Sequence, residues 1–533
     1  MTKARSFYFG PPSRPLFGWH HAPEAAQGRG VVLCNPLGLD MTRAHRSYRH
    51  LAERLASAGI ATLRFDWHGT GDSSGDEREP DRVATWIADL HLAIDELRRR
   101  SGAGSIALVG LRVGAALAGY VAAERDDIDG VALWMPSLSG AAWVAEMAKL
   151  HKLYLRIVPQ AGGAEPDGEE LLGSFVSTAT IADLARVDLL ALVRRPAPRV
   201  LVVDDGGLRD PDRLRSHLQE AGSEVTWRRT AGAKFLVTVP HRAALPDEPL
   251  DAIVGWVSAL PSVAASRAVM IADEETPSIE RPIHFGDGER LFGILVAPVA
   301  PPPPDRPAIV LLDAGTVNRV GPHRLYVTLA RRWVALGFAV LRVDLSGIGD
   351  SPAAEGTPEN LTYPASALTD VAAALDLLER EVSARRFVVA GLCSGADLAY
   401  QVARRDPRVA GAVMMNPRTF LELSLGSVEG QAPDAWSPDA ASTVEALRVT
   451  AGLEAISARG IDALLLVSRR DPGVDFVDRY APEAMRAAER LPGFRRVDVD
   501  GADHTFTTLA SQRRVSDLVT AEFLAGYLER RLA

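Results

Sequence analysis

Cysteine is nearly missing from this chain: 533 residues hold two, Cys34 and Cys393. Two thiols cannot build a disulfide framework, so the sequence reads as one kept in a reducing, cytoplasmic compartment. Long apolar runs are missing as well. No stretch reaches the ~18 uninterrupted apolar residues of a spanning helix. The opening Met1–Pro15 mixes Lys3, Arg5 and Arg14 with aromatics and prolines where a signal segment would be apolar. Positive charge is in deficit, 59 Lys and Arg against 68 Asp and Glu for a net charge of −9. No run of five or more basic residues occurs, which argues against a nucleic-acid surface. Arg98–Arg100 is a short exception that reads as the end of a solvated helix, where cations suit the dipole. Nothing in the sequence calls for a metal or another cofactor. What remains is ordinary globular material, 47% apolar and 24% charged, long enough for roughly two to four domains.

The chain repeats itself at an offset of about 280 residues. Phe9-Gly10 followed by Leu16-Phe17-Gly18 returns as Phe285-Gly286 followed by Leu291-Phe292-Gly293. Val31-Val32-Leu33-Cys34 returns as Ile309-Val310-Leu311-Leu312, and His45-Arg46-x-Tyr48 as His323-Arg324-x-Tyr326. Leu63-Arg64-Phe65-Asp66 with Gly69-x-Gly71-Asp72-Ser73 returns as Leu341-Arg342-Val343-Asp344 with Gly347-x-Gly349-Asp350-Ser351. Finally, Ala107-Leu108-Val109-Gly110-Leu111-Arg112-Val113-Gly114 matches Val388-Val389-Ala390-Gly391-Leu392-Cys393-Ser394-Gly395. Chance does not keep five such matches in order.

Each half alternates short apolar runs with amphipathic segments, the pattern of a mostly parallel sheet with helices on both faces. In the second half the pattern predicts strands at 281–285, 290–297, 307–313, 338–344, 386–391, 409–415, 462–468 and 494–499, with helices near 324–336, 364–382, 394–404 and 480–490. A long insertion follows the sixth strand of each half, at 136–196 and 417–460, and insertions of that length serve as lids or binding loops. The expected division is 1–262 and 281–533, joined by a linker at 263–280; Pro301–Pro304 reads as a stiff surface loop. Eight strands, a sharp glycine-flanked turn after the fifth, Gly-x-Cys-x-Gly in the second half and Gly-x-Arg-x-Gly in the first, and an insertion after the sixth resemble the α/β-hydrolase fold, twice over. The fold class expected is therefore α/β, as two tandem α/β-hydrolase domains.

That resemblance puts a nucleophile at the centre of the turn, an acid after a late strand and a histidine after the last. Cys393 fills the first slot, Asp471 the second and His504 the third, with Asp475 in the same loop as the reserve acid. Acyl transfer needs these types: a thiolate attacks a carbonyl, an imidazole moves the proton, and a carboxylate fixes the imidazole tautomer. Singly, each has a quieter reading: Asp471-Pro472 as a turn starter, His504 as a loop histidine, Cys393 as a small core residue. Together, in order on the right strands, they form a candidate triad. The backbone N–H of Ser394 is the expected oxyanion donor, with a second donor in the loop after Leu312-Asp313, where Gly315 and Thr316 lie.

The first half lacks this set. Its turn carries Arg112, which stays protonated and cannot be a nucleophile. Gly232-Ala233-Lys234-Phe235 stands where Gly501-Ala502-Asp503-His504 stands later, and His241 lies further on. Asp204, Asp205 and Asp210 are candidate partners for Arg112. The bland reading is a catalytically dead domain kept for packing or dimerisation; the sharper one makes Arg112 an anion-binding residue. His45-Arg46 and His323-Arg324 read as capping at the next helix start, Asp344 through Ser351 as turn chemistry, and Cys34 as core.

A narrower resemblance follows from Val320-Gly321-Pro322-His323-Arg324, Gly391-Leu392-Cys393 and Asp503-His504-Thr505-Phe506. On these the second half resembles exosortase A system-associated hydrolase type 1. The first half, with Gly110-Leu111-Arg112-Val113-Gly114, resembles the type 2 partner, whose turn likewise carries arginine. Cysteine turns of this kind are also similar to those of polyhydroxyalkanoate synthases, dienelactone hydrolases and the aminoacyl shuttles of nonribosomal peptide assembly. The implied activity is hydrolysis or acyl transfer on an ester or thioester, free or on a carrier protein, through an acyl-Cys393 intermediate. The rival from another class is a non-catalytic scaffold that binds a carrier or partner protein. Apolar residues in the second insertion, among them Leu421 and Trp436, fit either an acyl group or plain packing.

Overall fold

The structure is a computed structural model that describes residues 3–158, 165–231, 233–262, 279–303, 305–418, 451–469, 471 and 482–529. The chain divides near residue 278 into two compact units. Residues 263–278 of the expected linker, 419–450 of the second insertion and Asp475 lie outside the described residues.

The first unit is built on β1 (Lys3–Phe9), β2 (Leu16–Ala22), β3 (Arg29–Cys34), β4 (Ala61–Phe65), β5 (Ser105–Leu111), β6 (Gly130–Trp134), β9 (Arg199–Asp204) and β10 (Glu224–Arg229). These form one sheet in the order β1-β2-β4-β3-β5-β6-β9-β10. Helices α1 (Leu39–Ser57), α2 (Arg82–Ser101) and α3 (Val113–Ala123) connect its central strands. Between β6 and β9 lie α4 (Gly140–Ile157), a hairpin of β7 (Gly168–Leu171) with β8 (Ser174–Ser177), and α5 (Thr178–Leu184). After β9 come α6 (Pro211–Glu220) and, at the end of the unit, α7 (Asp247–Ser258).

The second unit repeats the plan. Its strands are β11 (Glu280–Phe285), β12 (Leu291–Val296), β13 (Ala308–Leu312), β14 (Val340–Asp344), β15 (Phe387–Leu392), β16 (Val409–Met415), β17 (Asp462–Ser468) and β18 (Phe494–Val499). They are ordered β11-β12-β14-β13-β15-β16-β17-β18. Only the β11/β12 and β12/β14 pairs are antiparallel; the rest of the sheet is parallel. Each expected strand is present within two residues of its expected ends. Helices α8 (Leu325–Ala335), α9 (Ala367–Val382) and α10 (Ser394–Arg405) match the first three expected helices, and a short helix, Pro482–Ala488, falls within the fourth.

The physical reason is burial on both faces. All six residues of β15, Phe-Val-Val-Ala-Gly-Leu, are buried, as a parallel strand covered by helices on each side requires. On α9 the buried set Val371, Ala374, Leu375 and Leu378 recurs at three- and four-residue spacing and faces the sheet. Truncating Leu375 to alanine there is expected to cost about 2–5 kcal/mol. Strand order reverses at β13: the chain moves to β14 on one side and to β15 on the other. The crevice of such a sheet lies outside the carboxyl ends of β13 and β15, where Leu312 pairs with Gly391.

Candidate active site and its degenerate counterpart

At the end of β15 the backbone turns sharply into α10, and Cys393 occupies the turn with φ 58° and ψ −121°. This conformation costs a non-glycine residue about 1–3 kcal/mol, so the surroundings must enforce it. The flanking glycines make it sterically feasible: a Cβ on Gly395 would lie 2.6 Å from the carbonyl oxygens of Leu312 and Asp313, and one on Gly391 would run into the Gly395 backbone. Cys393 N–H donates to Met415 O at 2.9 Å, tying the turn to the end of β16. The Tyr326 hydroxyl donates to Leu312 O (2.9 Å) and accepts from Leu392 N–H (3.0 Å), pinning the base of the turn between β13 and β15.

The structure brings Asp471 and His504 together. The His504 imidazole hydrogen-bonds through Nδ1 to Asp471 Oδ2, and Asp471 is buried at 1% exposure. Its own N–H donates to Ser468 O at 2.8 Å, one tight turn beyond β17. Burial disfavours the imidazolium, but the negative charge of Cys393 and hydrogen bonds to Asp471 and Cys393 outweigh it and raise His504 to about 10. With Nδ1 taken by the carboxylate, Nε2 is the ring nitrogen left for the sulfur. Asp503, the neighbouring carboxylate, is occupied elsewhere: it accepts from Thr507 N–H and Thr507 Oγ1, both at 2.6 Å.

The two expected oxyanion donors also meet, in a way the sequence did not anticipate. Ser394 opens α10, in the first turn where N–H groups have no acceptor within the helix. Gly315 N–H donates to Ser394 Oγ at 2.9 Å, so an oxyanion at that N–H must share it with, or displace, the hydroxyl. Tyr363 lies within electrostatic reach of Cys393, and its hydroxyl donates to Asp397 Oδ2 at 2.7 Å. Burial, then the charges of Asp397 and Cys393, push its phenol well above the ordinary range.

Asn416 escaped the sequence reading altogether. It is fully buried, with φ 44°, a left-handed conformation that asparagine tolerates. Its N–H donates to Leu466 O (2.8 Å), its Oδ1 accepts from Ser468 N–H (2.7 Å), and its Nδ2 donates to Ser468 Oγ (3.0 Å) and to His504 O (2.9 Å). Ser468 Oγ in turn donates to Asp503 O at 3.0 Å. One amide thus joins the strand beside the nucleophile, the strand that delivers the acid and the loop that carries the histidine. The signal was in the repeat: Asn416-Pro417 stands where the first half has Met135-Pro136.

The first unit keeps the turn and loses its chemistry. Arg112 has φ 57° and ψ −124°, almost the angles of Cys393, and its N–H donates to Trp134 O as Cys393 N–H does to Met415 O. Phe235, in the histidine slot, is buried against Trp134 with ring centroids 5.4 Å apart. His241 sits apart from it in the short turn Pro240–Arg242. The charge partners of Arg112 are Glu146 (Nη2 to Oε1, 2.5 Å) and Asp40 (Nε to Oδ2, 3.5 Å). Asp204, Asp205 and Asp210, the partners expected from sequence, serve their own loop instead. Asp204 and Asp205 accept from Leu208 N–H and Gly207 N–H, and Asp210 takes the N-cap position of α6. Asp40 and Glu146 lie on α1 and α4, far from Arg112 in sequence, so no local pattern announces them.

The remaining motifs also find their places. His45 and Arg46 lie inside α1, which begins six residues earlier, and do not cap it; Arg46 donates to Ala243 O. Arg324 takes the N-cap position of α8 without a side-chain cap bond. Asp344 Oδ2 accepts from Asp350 N–H at 2.8 Å and pairs with Arg319. Cys34 is fully buried, which pushes its thiol far up. Among the described residues no group of three or more His, Cys, Asp and Glu is placed to hold a metal, and no helix is long and apolar enough to cross a membrane.

A sheet of this order with a strained turn after its fifth strand defines the α/β-hydrolase fold, present here twice. The chain belongs to the Hydrolase_4 family, described as serine aminopeptidase, S33, which matches residues 41–197 and 308–458, together more than half of the chain. Both matches include the turn, which carries Arg112 in one and Cys393 in the other, and both stop before the residues that follow the last two strands. Among solved structures, the chain resembles Est1E of Butyrivibrio proteoclasticus with ferulic acid bound (16% identity, TM-score 0.34, covering 47% of this chain and 96% of that one). It also resembles DcsB in complex with a substrate analogue (15%, TM-score 0.36, 48% and 99%) and brefeldin A esterase, a bacterial homologue of human hormone-sensitive lipase (21%, TM-score 0.33, 48% and 76%). A search of curated proteins gave no match.

Proposed function

We propose that the second unit transfers acyl groups through Cys393. The observation that carries this reading is the hydrogen-bonded chain of buried Asp471, His504 and the cysteine on the strained turn. The Cys393 thiolate adds to the carbonyl carbon of an ester or thioester, and the oxyanion is received by N–H groups at Ser394 and in the Gly315–Thr316 loop. The tetrahedral species collapses as His504 Nε2 gives its proton to the departing alcohol or thiol. Acylation removes the charge on sulfur that raised His504, so the imidazole becomes a base again and accepts a proton from water, an amine, an alcohol or a second thiol. That acceptor attacks the thioester and releases Cys393.

The thioester keeps more transfer potential than an oxygen ester, which suits hand-over as well as hydrolysis. The motifs around Pro322-His323-Arg324, Cys393 and Asp503-His504 support a kinship with exosortase A system-associated hydrolases, and the scarcity of cysteine supports a cytoplasmic setting. The test is intact mass after incubation with an acyl thioester, octanoyl-N-acetylcysteamine. One acyl adduct on the protein, lost in Cys393→Ala, is expected. A protein that takes no acyl group and shows no turnover of ester or thioester is instead the scaffold.

A further inference from the structure

The first unit contains a cleft of about 670 Å³ beside its retained turn, lined by Arg112, Asp40 and Ser137 together with Met135, Leu138 and Leu150. That volume lies within the range of sites for small organic ligands. Three of these residues carry buried polar atoms without a hydrogen-bond partner among the described residues: Arg112 Nε, Asp40 Oδ2 and Ser137 Oγ. Buried polar atoms are nearly always paired, so three orphans around one cleft call for a missing partner.

Their chemistry specifies it. Arg112 Nε is a donor and Asp40 Oδ2 an acceptor, held 3.5 Å apart in an ion pair too loose to satisfy either as a hydrogen bond, and Ser137 can serve as either. The far side of the Arg112 guanidinium is already bound to Glu146 at 2.5 Å, so the fork an anion would require is in use. The charged residues lining the cleft balance, four carboxylates against four cations. No cysteine or histidine lines the cleft to activate a nucleophile, so the guest is held and not transformed.

We propose that this cleft binds an uncharged ligand with an apolar chain and an amide-like head. Its carbonyl accepts from Arg112 Nε, its N–H or O–H donates to Asp40 Oδ2, and its chain lies along Met135, Leu138 and Leu150. The degenerate turn is thereby a binding site in its own right, independent of whether Cys393 is acylated. The strained angles kept at Arg112 fit this, because they hold the side chain where a nucleophile would otherwise point.

The test is calorimetric titration of the full chain carrying Cys393→Ala, with octanamide and octanoate as probes. Octanamide is expected to bind, octanoate about tenfold or more weakly, and Arg112→Met to weaken octanamide about tenfold. Ala145→Trp fills the cleft from an exposed position on α4 and is expected to abolish binding while leaving the melting temperature unchanged. Octanoate binding as tightly as octanamide overturns the proposal. So does octanamide binding indifferent to both substitutions, or no binding at about 1 mM probe, the threshold of weak affinity.

Discussion

Asn416 Nδ2 donates to the main-chain oxygen of His504 at 2.9 Å, across 88 residues of sequence. In the first unit the same backbone position, with the same φ of 44°, holds Met135, and Phe235 stands in the histidine slot. The asparagine is therefore found in the copy that has something to position. Asn416→Met, which imports the residue of the other copy, is expected to lower kcat about a hundredfold, the cost of an ångström-scale misplacement. KM should change less than about twofold, since the amide touches no substrate. The pH profile of kcat/KM should shift as His504 loosens from Cys393. A parallel loss in stability with an unchanged profile would make Asn416 a packing residue only.

Tyr326 offers a second internal control. Its hydroxyl donates to Leu312 O and accepts from Leu392 N–H at the base of the turn, and Tyr48 makes the counterpart of the first bond to Cys34 O at 2.8 Å and of the second with the backbone of Leu111 in the first unit. Tyr326→Phe leaves a buried N–H unpaired and is expected to cost about 1–3 kcal/mol and to reduce turnover. Tyr48→Phe should destabilise comparably and leave turnover intact. Measuring melting and thioester turnover on both variants decides it; equal loss of activity would refute the assignment.

The repeat made most of this fold legible before any coordinates. The central strands of the second half are buried, mostly apolar runs, and parallel strands covered on both faces must be apolar throughout, so β13, β15 and β17 stand out without neighbours. The nucleophile turn is local, because glycine spacing and strain belong to five residues. What stayed hidden was held by long-range contacts. Asn416 carries no local signature, and its role depends on Ser468 and His504, which approach only when β16, β17 and the last loop align. The partners of Arg112 were sought in the nearest loop, yet Asp40 and Glu146 come from α1 and α4. Gly315 N–H was expected to wait for an oxyanion, and its bond to Ser394 Oγ could be found only in three dimensions.

Asp313 is a buried acid in the place of Asn35, and the two copies again give the experiment. Asn35 Nδ2 donates to Phe65 O (2.7 Å) and to Asp66 Oδ1 (3.3 Å). Asp313 faces Asp344, the counterpart of Asp66; burial and then that like charge raise its carboxyl well above the usual range, against the pull of Arg319. A raised folded-state value means that the unfolded chain ionises first, so stability falls as pH climbs above about 4, the ordinary carboxylate value. Asp313→Asn keeps an acceptor for Leu345 N–H, now bonded at 2.8 Å, and removes the penalty. The substitution should be near neutral at pH 4 and stabilising at pH 7, by about 1.4 kcal/mol for each pH unit of the shift. Denaturant midpoints at both pH values test this; a gain that does not grow with pH refutes it.

His504, raised to about 10, sets the pH behaviour of the whole site. An imidazolium held from its ordinary value near 6.5 up to about 10 supports a charge pair with Cys393 across that window. Its contribution to stability is complete below about 6.5, the unfolded value, and is lost as pH rises through the folded value. The difference in melting temperature between the native protein and His504→Ala should therefore shrink as pH moves from neutral to alkaline. Alkylation of Cys393 by iodoacetamide gives the chemical counterpart. In His504→Ala its rate at pH 7 should fall at least about tenfold below that of the native protein, because the imidazole that activates the sulfur is gone. Identical pH–rate curves for the two proteins would show that His504 does not govern Cys393, and the acyl-cysteine mechanism would fall with it.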